Sequence, residues 1–213
     1  TINMVNDEDF ADNWKKYYHP VHVTKRLVVK PSWEEYKPED KEVVIEIDPG
    51  MAFGTGTHPT TVLCLQALER VVEPGDSVAD VGCGTGVLAI ASAKMGAQSV
   101  LALDLDPLAV QIARKNIEQN GVSGRVTVRV NHLLVGIGQK FDVIVTNILA
   151  EIVVKLVKDA PLMLKPGGVL IASGFTRGNE EPVRREMMGN GFKIIEISNK
   201  DDWTAITASV EHT

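Results

Sequence analysis

Ser77-Val78-Ala79-Asp80-Val81-Gly82-Cys83-Gly84-Thr85-Gly86-Val87-Leu88 is the stretch that decides how this chain folds. A short run rich in β-branched residues climbs into three glycines at alternate positions. It then opens into Leu88-Ala89-Ile90-Ala91-Ser92-Ala93-Lys94-Met95. That pattern reads as a strand, a tight turn and a helix start. Glycine at 82, 84 and 86 lets the backbone turn sharply and lets a ligand lie against bare main chain. Such a turn is expected to present unpaired N–H groups and a positive helix end to a flat or anionic ligand. In the dinucleotide fingerprint G-x-G-x-x-G the third glycine sets the packing of helix on strand. Here that glycine comes one residue early, and Val87 stands in its place.

The spacing D-x-G-x-G-x-G resembles instead the first motif of methyltransferases that use S-adenosyl-L-methionine. A second apolar run, Ser99-Val100-Leu101-Ala102-Leu103-Asp104, ends in a carboxylate 22 residues after Gly82. An acid at the carboxyl end of a second strand is placed to take both hydroxyls of a ribose. Asp104 or Asp106 can also cap the helix that opens at Pro107. We assign the cap to Asp106 and the ribose to Asp104.

Outward from this centre, strands and helices alternate. Strands are expected at 77–81, 99–104, 125–130, 141–146, 169–173, 192–197 and 203–210. Helices are expected at 86–95, 107–120, about 150–163 and about 179–189, with Lys165-Pro166-Gly167-Gly168 as a stop. Alternation of this kind forces an α/β fold with a doubly wound, mostly parallel, seven-stranded Rossmann-like sheet and right-handed crossovers. The short connection Ser198–Asp202 makes the last two strands an antiparallel hairpin. In open sheets of this class the ligand lies beyond the carboxyl ends of the strands. Gly82 to Gly86, Asp104 and Asn147 should therefore meet there. Asn131 reads equally as an adenine contact or as a turn residue.

The N-terminal part is different. Phe10, Trp14, Tyr17 and Tyr18 recur at helical spacing, with acids early and lysines late, so residues 1–20 read as a linker helix. Arg26–Lys30 and Glu42–Asp48 read as two strands of a hairpin, giving a β-hairpin extension over 21–50 that leads into a core domain over 51–213. Asp48-Pro49-Gly50-Met51-Ala52-Phe53-Gly54-Thr55-Gly56-Thr57-His58-Pro59-Thr60-Thr61 then forms a loop with more glycine and hydroxyl chemistry than a helix cap requires. It is read as a second ligand-facing loop, with Pro59 at a first helical position and Thr60 or Thr61 as a cap. His58 is open to two readings, a base or a structural residue.

The chain of 213 residues has 44% hydrophobic and 23% charged residues and a net charge of -6, ordinary globular composition without the basic face of a nucleic-acid binder. Its apolar runs fall short of the ~18 residues a membrane span needs. Cys64 and Cys83 are the only cysteines, without C-x-x-C or a histidine cluster at metal spacing, so a reduced cytoplasmic protein without a metal is expected.

Thr146-Asn147-Ile148-Leu149-Ala150 follows the fourth core strand. The Asn147 carbonyl can accept a hydrogen from an attacking amine and aim its lone pair, or the residue can serve as a turn. The motif resembles the Asn-Pro-Pro-Tyr signature of amino-directed methyltransferases, with only its Asn kept. Loss of the aromatic favours a flexible aliphatic amine over a planar one.

With these stretches together, the chain resembles the bacterial family that methylates large-subunit ribosomal protein eleven on lysine side chains and on the N-terminal amine. Four stretches carry the likeness: His19-Pro20 through Pro31-Ser32-Trp33, Asp48 through Thr61, Asp80 through Gly86, and Asn147-Ile148-Leu149-Ala150. The resemblance implies S-adenosyl-L-methionine as cofactor and a large-subunit ribosomal protein as substrate. It implies cofactor contacts at Thr61, Gly82, Gly84, Gly86, Asp104 and Asn147, with Phe53, Gly54, Thr55 and His58 in a cofactor-side loop. Asn147 is also where the substrate amine should arrive. The family also carries a small N-terminal domain that recognises the ribosomal protein. Thr1 to Tyr18 looks like its linker, without that domain. Methylation of RNA or of a small-molecule amine, a non-catalytic cofactor-binding module and a nicotinamide oxidoreductase stand as alternatives.

Overall fold

The computed structural model describes residues 18–48 and 56–210. Three strands come first: β1 (Val21–His22), β2 (Leu27–Lys30) and β3 (Val43–Glu46). After them come α1 (Pro59–Val71), β4 (Ser77–Val81), α2 (Val87–Lys94), β5 (Ser99–Asp104), α3 (Pro107–Gln119) and β6 (Val126–Val130). The chain continues with β7 (Phe141–Asn147), α4 (Ala150–Met163), β8 (Leu164–Thr176), α5 (Glu180–Gly189), β9 (Phe192–Lys200) and β10 (Trp203–Val210).

The central strands are mostly apolar because both of their faces are buried. Alternate residues serve opposite sides. Val78, Val100, Ala102, Val143 and Val145 pack with residues of α1, α2 and α3. Ala79, Val81, Leu101, Leu103 and Ile144 pack with residues of α4 and α5. The sheet order is β6-β5-β4-β7-β8-β10-β9. Neighbours from β6 to β8 are parallel, and β10 runs antiparallel to both β8 and β9. The expected seven strands and antiparallel final pair are present.

Three expectations need correction. Lys165–Gly168 does not separate helix from strand, because β8 already begins at Leu164. Leu164 pairs with Phe141 and Val169 with Val143, so the Pro-Gly-Gly stretch is a bulge inside the strand. Lys165 ties this bulge to β7 through an Nζ to Asp142 carboxylate contact of 2.7 Å. The final turn is also shorter than Ser198–Asp202: β9 runs to Lys200, and Asp201 takes a left-handed φ of 53°. The third concerns the N-terminal strands. β2 and β3 are parallel, Leu27 opposite Val43 through Lys30 opposite Glu46, and the antiparallel partner of β2 is β1. Residues 31–42 are long enough to cross over rather than turn back. A crossover also lets Leu27, Val29, Ile45 and Ile47 all reach the core shared with α1 and α2.

This small sheet is fastened to the main one by polar contacts. The Asn120 side chain pairs with the Glu46 backbone like a strand neighbour, accepting from its N–H at 2.9 Å and donating to its carbonyl at 2.6 Å. Lys94 Nζ donates to the Val44 carbonyl at 2.7 Å. The linker-helix assignment falls mostly on residues outside those described.

Ile148 sits between two glycines. A Cβ on Gly82 (φ 77°) would strike the Ile148 side chain, and one on Gly174 (φ 100°) would strike its backbone. Gly174→Ala should therefore destabilise the protein by roughly 1–3 kcal/mol. A thermal scan should show a Tm drop of several degrees, and an unchanged Tm would contradict the close approach.

Candidate functional site

The carboxyl ends of β4, β5, β7 and β8 open onto a cavity of about 630 Å³, within the usual size of a small-molecule site. His58, Thr61, Gly82, Gly84, Asp104 and Asn147 all line it. Gly86 is not among the lining residues. It occupies the N-cap position of α2 in a left-handed conformation, where an added Cβ would lie 3.2 Å from Ala113 Cβ. Phe53, Gly54 and Thr55 lie outside the described residues.

The glycine turn does not offer the unpaired amides expected of it. Gly82 and Cys83 both donate to the Leu103 carbonyl, at 2.7 and 3.0 Å, and Gly86 donates to the Cys83 carbonyl at 2.8 Å. Gly84 donates to Asp104 Oδ2 at 2.9 Å. With these donors committed inside the protein, the turn presents close, flat main chain and little capacity to bind an anion.

Asp104 is half-buried, and its other oxygen accepts from Asp106 N at 3.0 Å. Asp106 is the N-cap of α3, accepting from Leu108 N at 2.8 Å, as the sequence suggests. Asn131 also lines the cavity, but its amide donates to the Leu133 carbonyl at 2.8 Å and so holds its own loop. The N-cap of α1 is His58 rather than a threonine: its Nδ1 accepts from Thr60 N at 3.3 Å. The imidazole meets Trp203 edge-on, with ring centroids 4.8 Å apart, and burial pulls its pKa below the usual value.

Asn147 is positioned from both sides. Thr146 Oγ1 donates to the Val81 carbonyl at 2.8 Å, fixing the strand end. Asn147 Nδ2 donates to Oγ1 of the buried Thr61 at 3.3 Å. Its Oδ1 is buried with no hydrogen-bond partner. A buried acceptor left unpaired costs about 1–3 kcal/mol, so this oxygen is placed to accept from a donor that enters the cavity.

Burial pushes the thiols of Cys64 and Cys83 upward and keeps them protonated, so Cys83 is no nucleophile despite its place in the turn. Asp80 is fully buried beneath that turn. Its Oδ2 accepts from Ala89 N at 3.0 Å, while Oδ1 has no partner. Burial raises its carboxyl to about 7, against the lowering effect of the Ala89 bond and with help from the Asp104 charge.

Leu105, Leu133, Gly174 and Trp203 also line the walls and were not singled out in the sequence, and Leu149 was quoted there only as part of a motif. The strand-end rule could have found Leu105, just past β5, whereas Gly174 lies inside β8, which runs on to Thr176. Nothing local marks Trp203, which the antiparallel pairing of β10 brings back to the cavity.

A family model described as ribosomal protein L11 methyltransferase matches residues 1–211. The chain belongs to the ribosomal protein L11 methyltransferase family. It is 53% identical over 208 residues to the protein of that name from Halalkalibacterium halodurans, covering 98% of this chain and 66% of the relative. The Bacillus subtilis relative of the same name is 51% identical over 209 residues, covering 98% of this chain and 67% of the relative. The chain thus spans about two thirds of the length of these relatives. A crystal structure described as ribosomal protein L11 methylase from Lactobacillus delbrueckii subsp. bulgaricus superposes with a TM-score of 0.86 at 36% identity, covering 92% of this chain and all of that one. A precorrin-6y C5,15-methyltransferase from Geobacter metallireducens shares the fold at a TM-score of 0.61 and 13% identity. Among the described residues, no group of three or more His, Cys, Asp or Glu is arranged to hold a metal, and no helix is long and apolar enough to cross a membrane.

The Asp80 shift makes a stability prediction for this family member. The unfolded carboxyl ionises near 3.8, whereas the folded one keeps its proton to about pH 7. Between those limits the folded state binds more protons, so this group removes stability as pH rises and removes no more above about 7. Asp80→Asn retains an acceptor for Ala89 and cannot ionise. Its denaturation midpoint, relative to wild type, should climb from pH 4 to 7 and then level off; a constant difference would refute the assignment.

Proposed function

We propose that this chain is a cytoplasmic N-methyltransferase that uses S-adenosyl-L-methionine to methylate lysine side chains and the N-terminal amine of ribosomal protein L11. The family and the names of its relatives support this reading, and the unpaired Asn147 Oδ1 in the cavity wall carries it. The residues present suit the cofactor. Committed amides at Gly82, Cys83, Gly84 and Gly86 disfavour a pyrophosphate and leave close main chain for a nucleoside and a sulfonium. Each Asp104 oxygen accepts one N–H and keeps a lone pair for a ribose hydroxyl. When bound, the cofactor supplies an electrophilic methyl group on a cationic sulfur.

The chain's own part is alignment. Asn147 Oδ1 accepts one hydrogen of the incoming amine and so turns the nitrogen lone pair in a fixed direction. Thr61, buried and bonded to Nδ2, keeps that amide from rotating. Holding two reactants in line is enough to supply a large share of a methyl-transfer rate. The amine must also arrive neutral, and at pH 7 only about one lysine in two thousand is. Apolar walls lower an amine pKa by disfavouring its charged form. Asn147 is left free to orient the amine, and the proton departs to water.

Calorimetric titration should show the chain binding S-adenosylhomocysteine and not NAD. Asp104→Ala should weaken that binding by about tenfold or more, as expected for lost bonds to a charged acceptor. Asn147→Ala should weaken that binding less than Asp104→Ala does, yet turn over a lysine peptide on the order of 100-fold more slowly. Binding of NAD alone, or full turnover by Asn147→Ala, would sink the proposal.

A further inference from the structure

Leu149 is a large apolar side chain that is 62% exposed, and it lines the cavity two residues from Asn147. It occupies the N-cap position of α4, with φ −58° and ψ 144°. Ser, Thr, Asp and Asn are preferred there because their oxygens satisfy the first helical amides. Leucine supplies no such bond, and no side-chain cap is made at this helix start. Its main chain is nonetheless fixed: the Leu149 carbonyl accepts from Ile152 N at 2.9 Å and from Val153 N at 3.0 Å. The side chain is therefore held at the cavity by a rigid backbone, serving neither the helix nor the core.

We propose that Leu149 is a specificity-determining residue that grips the aliphatic stem of the substrate amine. This rests on the amine-methylating reading above and deepens it. An amine seated at Asn147 Oδ1 trails its methylenes outward past the next residues of the chain, where Leu149 is the exposed apolar surface. Burying those methylenes against leucine rewards a long unbranched stem over a short one. The same apolar surface disfavours an ammonium close to Asn147 and so helps to deliver the neutral amine.

The test uses the 213-residue chain with S-adenosyl-L-methionine and three peptides, each bearing one primary amine on a stem of four, three or two methylenes (lysine, ornithine, diaminobutyrate). For wild type, kcat/KM should fall about fourfold for each methylene removed. Leu149→Ser should flatten that series and raise KM for the lysine peptide about tenfold, with S-adenosylhomocysteine affinity unchanged. Because serine is a good N-cap, the same variant should raise Tm by about 2–4 °C. A merely structural leucine predicts a lower Tm and an unchanged series. Leu149→Met should restore the wild-type pattern. Leu149→Glu should move the ascending limb of the pH–kcat profile to higher pH, since a carboxylate holds the amine protonated. An unchanged lysine KM and stem-length series in Leu149→Ser would overturn this proposal while leaving the amine reading intact. Wild type that binds S-adenosylhomocysteine yet methylates none of the three peptides would overturn both.

Discussion

The Leu103 carbonyl and the Asp104 carboxylate hold the glycine turn from the side. The carbonyl takes the amides of Gly82 and Cys83, and the carboxylate takes that of Gly84. The end of β5 thereby fixes the path of the chain as it leaves β4, and the cavity floor is set by hydrogen bonds between two neighbouring strand ends. Much else follows from this closure. The turn cannot act as an anion cradle because its donors are taken. Asp104 cannot swing away, because its second oxygen is held by Asp106 N, and Asp106 in turn caps α3. The same carboxylate is thus a structural clasp and the acidic group at the cavity edge.

On the opposite wall, α1 ties distant parts of the chain together. Thr61, on its first turn, receives the Asn147 amide across 86 residues of sequence. His58, at its cap, lies against Trp203 of the last strand. Glu46 and Val44 of the small sheet are pinned through Asn120 and Lys94 to the ends of α3 and α2. The small sheet is therefore an outer layer bonded to the helices of the central fold, and its apolar residues share their core.

What was legible in the sequence was what repeats or what needs glycine. Strands buried on both faces announce themselves as apolar runs, which is why 99–104 is read to the residue; 203–210, broken by Thr204, Thr207 and Ser209, is marked by its β-branched content instead. The left-handed turns at 82, 84 and 86 require glycine, and their positions show it. Pairing direction is less visible: the periodicity of 26–30 and 42–48 is the same for parallel and antiparallel neighbours, and only the core they share selects the crossover. Pro-Gly-Gly at 166–168 has the composition of a loop, and the ion pair that keeps it inside a strand joins residues 23 positions apart. The use of the turn's own amides was hidden for a similar reason, since their acceptors belong to another strand. Asn147 could be singled out because a polar residue closing an apolar strand stands out, and it does line the cavity. The exposure of Leu149 was not legible, because a leucine before a helix looks like core.

The two glycines around Ile148 differ in kind, and that difference shapes how the site can change. At 82 the obstruction is the branched tip of the isoleucine side chain; at 174 it is main chain. Trimming residue 148 removes the first clash and leaves the second untouched. Sequence drift can therefore trade volume between 82 and 148 as a compensating pair, limited by the left-handed strain at 82. No such exchange exists for 174. That position is a dead end in mutational space, and the segment carrying Asn147 inherits its immobility from a residue that contributes no side chain at all.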